Sequence, residues 1–505
     1  MKIIKNQNNI TLINAFSSLL LQLVTIISGF IIPRIILQNF GSEVNGLVSS
    51  FNQFFGYITL VEGGITSVVM AKLYKPLLKK NHEEISSILI TTKKFYNRLS
   101  FVFIIYTIVL SIIYPILFKT NFSNIFVMML GIVLGIGLFI QYNFSLSLRL
   151  LLEADKKLYV VAWTQIIVLT INTLIFSILV NVFPNILILK LISGLVYIIQ
   201  PIIYSISIKK YYKINKYATP SEELIENRWN GFSISIASFI HNNADVIILT
   251  IFTNLTTVSI YTVYSLVTKG LRQIIYSITK AIEPTIGSIY AQNDKEELNK
   301  KFDLFEFCIF FVTFFLFVMG GLLITPFVEL YTTDIHDANY VMPLFGILII
   351  IAEAICCLQD PYNKMTYIAD KFKDIRAAAF MEAIINIVIS VLLVKKFGLV
   401  GVAFGTLVAM IFRLIFQVYY LKNNILKRNI YKFVKRLFVF GLGTIISIGL
   451  CSFIQITEIS VIIWIKTAII YSIICLSVFI LISYIFYKEE FNYFITKFIK
   501  KTKQK

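Results

Sequence analysis

Charged residues are scarce in this 505-residue chain. They make up 14% of it, whereas 57% of the residues are hydrophobic and the mean hydropathy is +0.81. Because a soluble globular domain carries about 25% charged residues, the composition excludes a soluble protein. A membrane-spanning helix needs about 20 apolar residues, and the chain has room for about fourteen of them, with no segment left for a large soluble domain.

Cysteine, histidine and the common catalytic motifs are scarce as well. The five cysteines fall in apolar stretches without the spacing of a disulfide framework, and the three histidines form no metal-ligand pattern. The chain has no phosphate-binding loop ending in Lys-Ser or Lys-Thr, no nucleophile elbow and no H-E-x-x-H helix. We therefore expect no metal and no cofactor, and the sequence favours a transporter over an enzyme.

Acidic residues are outnumbered by basic ones, 27 to 46, which gives a formal net charge of +19. The Lys and Arg side chains are concentrated in the terminal segments and in alternate loops, not on one face as a nucleic-acid-binding surface requires. This asymmetry is the positive-inside rule. It predicts a multi-pass protein of the plasma or inner membrane with both termini in the cytoplasm, and it argues against a nucleic-acid partner.

The apolar runs predict fourteen spans and a division into lobes. The spans cover 10–32, 46–70, 99–118, 124–148, 159–183, 185–208, 231–252, 257–282, 304–328, 341–359, 377–394, 398–421, 434–455 and 460–487. The predicted domains are an N-terminal six-helix lobe over 1–208, a cytoplasmic linker over 209–229, a C-terminal six-helix lobe over 230–421, and a segment over 422–505 with spans 13 and 14 and a basic cytoplasmic tail.

An internal repeat supports this division, since three landmarks recur at nearly the same separation. Glu83-Glu84-Ile85 matches Glu296-Glu297-Leu298, Val44 matches Val258, and Ala154-Asp155-Lys156 matches Ala369-Asp370-Lys371, at separations of about 213, 214 and 215 residues. Both halves hold an even number of spans. We therefore predict parallel repeats that are related by an axis along the membrane normal.

Polar side chains inside the spans predict a substrate pathway. A charge at the centre of a span costs roughly 2.5 to 3.5 kcal/mol, so such residues should face a cavity or a partner. In span 8, Lys269, Arg272 and Tyr276 share one helical face. Asn52 lies on the polar face of span 2, and Arg34 ends span 1. We predict that these five residues bind substrate and that Lys269 with Arg272 binds an anionic group. Helix packing by polar residues and snorkelling lysines are the alternatives.

A second polar group involves acidic residues of two spans. Asp245 lies in span 7, and Glu382 and Asn386 lie one turn apart in span 11. Oxygen ligands of this kind suit a hard cation or a proton relay. A purely structural hydrogen-bond cluster between the helices is the alternative.

Several short segments carry a resemblance to a known family. The sequence has Phe40-Gly41-Ser42-Glu43-Val44-Asn45-Gly46-Leu47, Glu62-Gly63-Gly64-Ile65, Tyr74-Lys75-Pro76-Leu77, and Gly398-Leu399-Val400-Gly401-Val402-Ala403-Phe404-Gly405-Thr406. With these segments the chain resembles the polysaccharide-biosynthesis flippases, the Wzx-type branch that handles O-antigen or capsule repeat units. This branch belongs to the MOP exporter superfamily, which also contains the lipid II flippases and the MATE extruders.

The resemblance implies an all-α fold of two six-helix lobes and two further C-terminal helices. It implies that undecaprenyl-pyrophosphate-linked oligosaccharide moves from the inner to the outer leaflet by alternating access, for surface polysaccharide biosynthesis. The implied partners are this lipid-linked oligosaccharide, membrane lipids and the polysaccharide polymerase machinery. Some relatives hold sodium between spans 7, 11 and 12, so the resemblance implies Na⁺ or H⁺ coupling at Asp245, Glu382, Asn386 and Thr406.

Two other functions are alternatives. A cation-coupled multidrug extruder is the nearest, although spans beyond twelve and a basic pathway argue against it. From a different class, the chain could be a membrane polysaccharide polymerase or ligase acting on the same glycolipid. Such an enzyme would need a large external loop, and the predicted external segment from Leu330 to Tyr340 is short.

Overall fold

The protein is an all-α polytopic membrane protein. A computed structural model describes residues 2–493 apart from 119, 216, 220–242, 293, 455–457 and 459. These described residues are almost entirely helical and contain no strand. Eleven of their helices are long and apolar enough to cross a membrane. The fold class predicted from composition and hydropathy is therefore confirmed.

Sixteen α-helices are numbered here in chain order. They are α1 Lys2–Phe55, α2 Ile58–Lys79, α3 His82–Leu117, α4 Asn124–Ile140, α5 Leu146–Ala154, α6 Leu158–Val182, α7 Ile186–Val196, α8 Ile199–Tyr211, α9 Asn243–Phe252, α10 Leu255–Ala291, α11 Lys295–Tyr331, α12 Pro343–Ile368, α13 Phe372–Phe397, α14 Leu399–Asn424, α15 Tyr431–Cys451 and α16 Val461–Phe486. A π-helical turn, Gln141–Ser145, joins α4 to α5.

The eleven apolar helices correspond to predicted spans 1, 3 to 6 and 9 to 14. Span 2 falls on the end of α1 and on α2, and only the last ten residues of span 7 lie within the described residues, as α9. Span 8 is α10, whose polar and charged face makes it less apolar than its neighbours.

Two predicted loops are wrong because they are helical. The segment between spans 1 and 2 continues α1 through Pro33 and bends at Gly41, whose φ of 82° favours glycine. The predicted loop from Lys72 to Arg98 is mostly helix, since α2 runs to Lys79 and α3 begins at His82. At 1.5 Å per residue the 36 residues of α3 span about 54 Å, which exceeds the roughly 30 Å hydrocarbon core.

The internal repeat is visible in local backbone geometry. Asn81 caps α3 by accepting a hydrogen bond from the Glu84 amide at 3.3 Å, and Asp294 caps α11 by accepting one from the Glu297 amide at 2.9 Å. Lys156 and Asp370 both adopt a left-handed conformation, with φ of 59° and 55°. Residue 156 therefore corresponds to 370, and the sequence landmark, which pairs Asp155 with Asp370, is displaced by one residue.

The described chain forms two compact units, Met1–Ser259 and Ile260–Lys505. In the first, an aromatic core includes Tyr114, which stacks on Phe51 at 4.5 Å between ring centroids. In the second, α15 and α16 pack against α11, and Phe440 is fully buried there. The lobe and linker boundaries given above stay predictions, and linker residues 220–229 lie outside the described residues.

Candidate functional site

The polar face of α10 is matched by polar residues of α12 along both helices. Arg272 Nη1 lies 3.2 Å from Glu353 Oε2, and Lys364 Nζ lies 3.0 Å from Glu283 Oε2. Between these pairs, Asp360 lies beside Thr279. Each pair joins residues that are 81 positions apart, so α10 and α12 run alongside each other in constant register. We call Arg272, Thr279, Glu283 and their three partners the α10/α12 ladder.

The α10/α12 ladder limits how the predicted substrate-binding residues can bind an anionic group. Arg272 is already neutralised by Glu353, and the two side chains are only 28% and 18% exposed. An anionic group would therefore have to compete with Glu353 for the guanidinium. The Tyr276 ring is 42% exposed and lies 5.0 Å from Lys364 Nζ, while Lys269 is exposed on the same helix. The structure thus brings Arg272 and Tyr276 together against α12.

The other predicted substrate-binding residues belong to the first unit. Arg34 is partly buried within α1. Asn52 lines a cavity of about 320 Å³, whose other lining residues come from α1, α2, α4, α6, α7 and the segments next to them. Asp245, predicted for ion coupling, is a buried residue of α9 in the same unit.

The remaining three ion-coupling residues meet where α13 packs on α14. Asn386 Nδ2 donates a hydrogen bond to Thr406 Oγ1 at 3.2 Å, and Ser390 donates one to Asn386 Oδ1 at 3.2 Å. The close approach depends on Gly405, because a Cβ there would lie 2.8 Å from the Ser390 amide nitrogen. Gly401 likewise packs against Leu393, so both glycines allow α14 to approach α13 closely.

Glu382 also has a partner that the sequence did not reveal. Its Oε2 lies 3.6 Å from Arg413 Nε, and the two residues are only 9% and 5% exposed. Arg413 donates a further hydrogen bond to the Ile375 carbonyl at 3.2 Å. A cation at this site would have to share Glu382 with Arg413. Within the described part of the chain, no group of three His, Cys, Asp or Glu residues is arranged to hold a metal ion.

A buried ionic cluster in the second unit was missed by the sequence analysis. Glu306, fully buried in α11, contacts Arg428, Arg436 and the Tyr362 hydroxyl. Asp303 Oδ1 lies 2.7 Å from Arg428 Nη1. Lys432 and Glu490 complete the cluster with contacts of 2.5 Å to Asp303 and 3.5 Å to Arg436. Three acids thus balance three bases, and the cluster attaches α15 to α11 and α12.

No family model and no curated protein matches the chain. The fold, however, is that of membrane transporters whose solved structures include a lipid II flippase and multidrug extruders. All of these matches are at 13 to 15% sequence identity, so they establish the fold and leave the substrate open.

Three individual structures give the extent of the likeness. The lipid II flippase MurJ in an inward closed conformation matches with a TM-score of 0.70 and 14% identity, over 95% of this chain and 99% of that one. An inward-facing MATE multidrug transporter matches with a TM-score of 0.63 and 14% identity, over 81% of this chain and 98% of that one. An outward-facing MATE transporter gives 0.55 and 14%, over 81% and 94%.

Proposed function

We propose that the protein is a flippase that moves undecaprenyl-pyrophosphate-linked oligosaccharide repeat units from the inner to the outer leaflet. The observation that carries the proposal is the extent of the fold match. The lipid II flippase covers 95% of this chain, whereas the multidrug transporters cover 81%. The two coverages differ by 14% of this chain. The segment 422–505, which contains α15 and α16, is of about that length. A helix pair beyond twelve thus favours a lipid-linked substrate over a small drug.

The α10/α12 ladder suggests how a pyrophosphate head group is handled. A guanidinium binds phosphate through two parallel hydrogen bonds, which makes Arg272 the stronger anchor and Lys269 a supporting charge. Because Glu353 already holds Arg272 at 3.2 Å, the head group must replace that carboxylate. Binding is therefore an exchange of partners at Arg272. Arg34, Asn52 and Tyr276 are proposed as further contacts to the substrate.

Alternating access requires that something favours one conformation over the other. A ligand shifts such an equilibrium only by its difference in affinity for the two states. We propose that Na⁺ or H⁺ at Asp245, Glu382, Asn386 and Thr406 provides this difference. At Glu382 either cation would compete with Arg413 for the carboxylate, whose Oε2 lies 3.6 Å from Arg413 Nε. Both termini are proposed to be cytoplasmic, as the distribution of basic residues indicates.

The head-group site is tested by replacing Lys269 and Arg272 together with Gln. The double variant should abolish glycan export in cells that depend on this chain, with unchanged protein level. Lys280→Gln is the matched control, because Lys280 is an exposed lysine of the same helix. Normal export by the double variant would remove these residues from the substrate site. Export of cationic dyes by the wild type, without glycan export, would instead favour the multidrug extruder.

A further inference from the structure

A polar cavity lies within the first unit, apart from the α10/α12 ladder. It has a volume of about 320 Å³, at the lower end of the range of small-ligand sites. Its polar lining consists of three carboxamides, two hydroxyls and one amine, from Asn52, Gln141, Asn172, Ser193, Tyr197 and Lys190. Among the described residues that line it, none is acidic. The cavity therefore offers hydrogen-bond donors and one positive charge.

Lys190 is the residue that needs an explanation. It lies in the second turn of α7, near the start of the predicted span 185–208, with its Nζ 5.2 Å from the centre of the Phe176 ring. Within the described residues no carboxylate lies within ion-pair distance of this amine. A cation in this position is costly unless an anion or water meets it. Since Lys190 lines the cavity, the space for such an anion is already formed.

The internal repeat relates this cavity to the proposed coupling site in the second unit. Ser193 donates a hydrogen bond to Asn172 Oδ1 at 2.5 Å. These two residues precede Thr406 and Asn386 by about 213 and 214 positions, the separation that relates the repeats. The first unit thus contains a hydroxyl and carboxamide pair equivalent to the one in the proposed coupling site. In the second unit this pair lies one turn from the acidic Glu382, whereas in the first it lies one turn from Lys190.

We propose that this cavity is a binding site for a phosphate-class oxyanion, with Lys190 as the charged ligand and Asn52 and Gln141 as further donors. The described part of the lining favours an oxyanion over a cation because it has an amine and no carboxylate. It favours an oxyanion over a halide because amides and hydroxyls from several helices converge on a volume about ten times that of a water molecule. The phosphate is either free or part of a polyprenyl phosphate. The site does not depend on the proposed flippase activity.

The test is phosphate binding by the purified full-length protein in detergent. Thermal unfolding and titration calorimetry compare sodium phosphate with sodium chloride at equal ionic strength. Wild type should be stabilised by phosphate and not by chloride. Lys190→Met should weaken phosphate binding about tenfold or more, because a charge-assisted hydrogen bond is lost. Lys190→Arg should retain it, and Lys280→Gln should match wild type.

A second measurement separates this role from a structural one. Without phosphate, Lys190→Met should melt at or above the temperature of wild type, because an uncompensated charge is removed. A lower melting temperature would contradict the assignment, as would equal phosphate binding by Lys190→Met and wild type. Competition between inorganic phosphate and polyprenyl phosphate in mixed micelles then identifies the source. If polyprenyl phosphate displaces inorganic phosphate, the ligand is the lipid phosphate. If it does not, the ligand is free phosphate. Both results presuppose that phosphate binds at the Lys190 cavity.

Discussion

Among the charged side chains of the second unit, Glu306 is the one whose replacement by a neutral residue should lower the unfolding free energy most. It is fully buried and contacts Arg428 and Arg436, which are themselves 9% and 2% exposed in their side chains. Removing one partner of a buried ion pair costs about 3 to 5 kcal/mol. After Glu306→Gln, Arg428 still forms an ion pair with Asp303 at 2.7 Å, and Arg436 still forms one with Glu490 at 3.5 Å. We therefore expect a loss near the lower limit, about 3 kcal/mol of unfolding free energy.

The assay is unfolding in mixed detergent micelles, followed by the loss of helical circular dichroism. Glu296→Gln is the matched control, because Glu296 lies in the same helix and forms an exposed pair with Lys300 at 2.7 Å. The control should show no measurable loss. In a double-mutant cycle, Glu306→Gln with Arg436→Gln should cost less than the two single changes together. Equal stabilities of Glu306→Gln and Glu296→Gln would refute the cluster as the attachment of α15.

Two further predictions concern the proposed coupling site. Asp245→Asn should slow glycolipid transport in reconstituted vesicles and abolish its dependence on an imposed sodium or pH gradient. If wild type and variant respond to the gradients alike, Asp245 is structural. Gly405→Ala should separate α13 from α14, because the added Cβ would lie 2.8 Å from the Ser390 backbone nitrogen. The variant should lose about 1 to 3 kcal/mol of unfolding free energy. Gly441→Ala, where nothing lies within 4 Å of the new Cβ, should not destabilise, and equal losses in both variants would contradict the tight contact.

Much of the fold could be predicted because it follows from local sequence. Hydropathy located most of the spans. Helix continuity was harder to predict. The prediction ends span 1 at residue 32, yet the helix continues through Pro33 and bends only at Gly41. Proline and glycine are tolerated inside membrane helices because neighbouring groups satisfy the freed backbone.

The candidate site was predicted less completely because ion pairing depends on the register between helices. Arg272 and Glu353 are 81 residues apart, and no pattern within either helix connects them. The same holds for Glu382 with Arg413 and for Glu306 with Arg436. Each of these charges lies in an apolar stretch of the sequence. This position predicts that the charge has a partner but does not identify the partner residue. Lys190 carried the same signal, and in its case the described residues place a cavity beside the amine and no carboxylate within ion-pair distance.

The central claim is that this chain translocates a lipid-linked oligosaccharide. The most direct measurement uses vesicles that contain the purified protein and undecaprenyl-pyrophosphate-linked oligosaccharide, with an impermeant glycosidase added outside. We predict that wild type exposes the inner-leaflet glycan to cleavage, and that the Lys269→Gln, Arg272→Gln double variant leaves it protected as in protein-free vesicles. Protection of the glycan by wild type, with a functional glycosidase and correctly folded protein, would contradict the account.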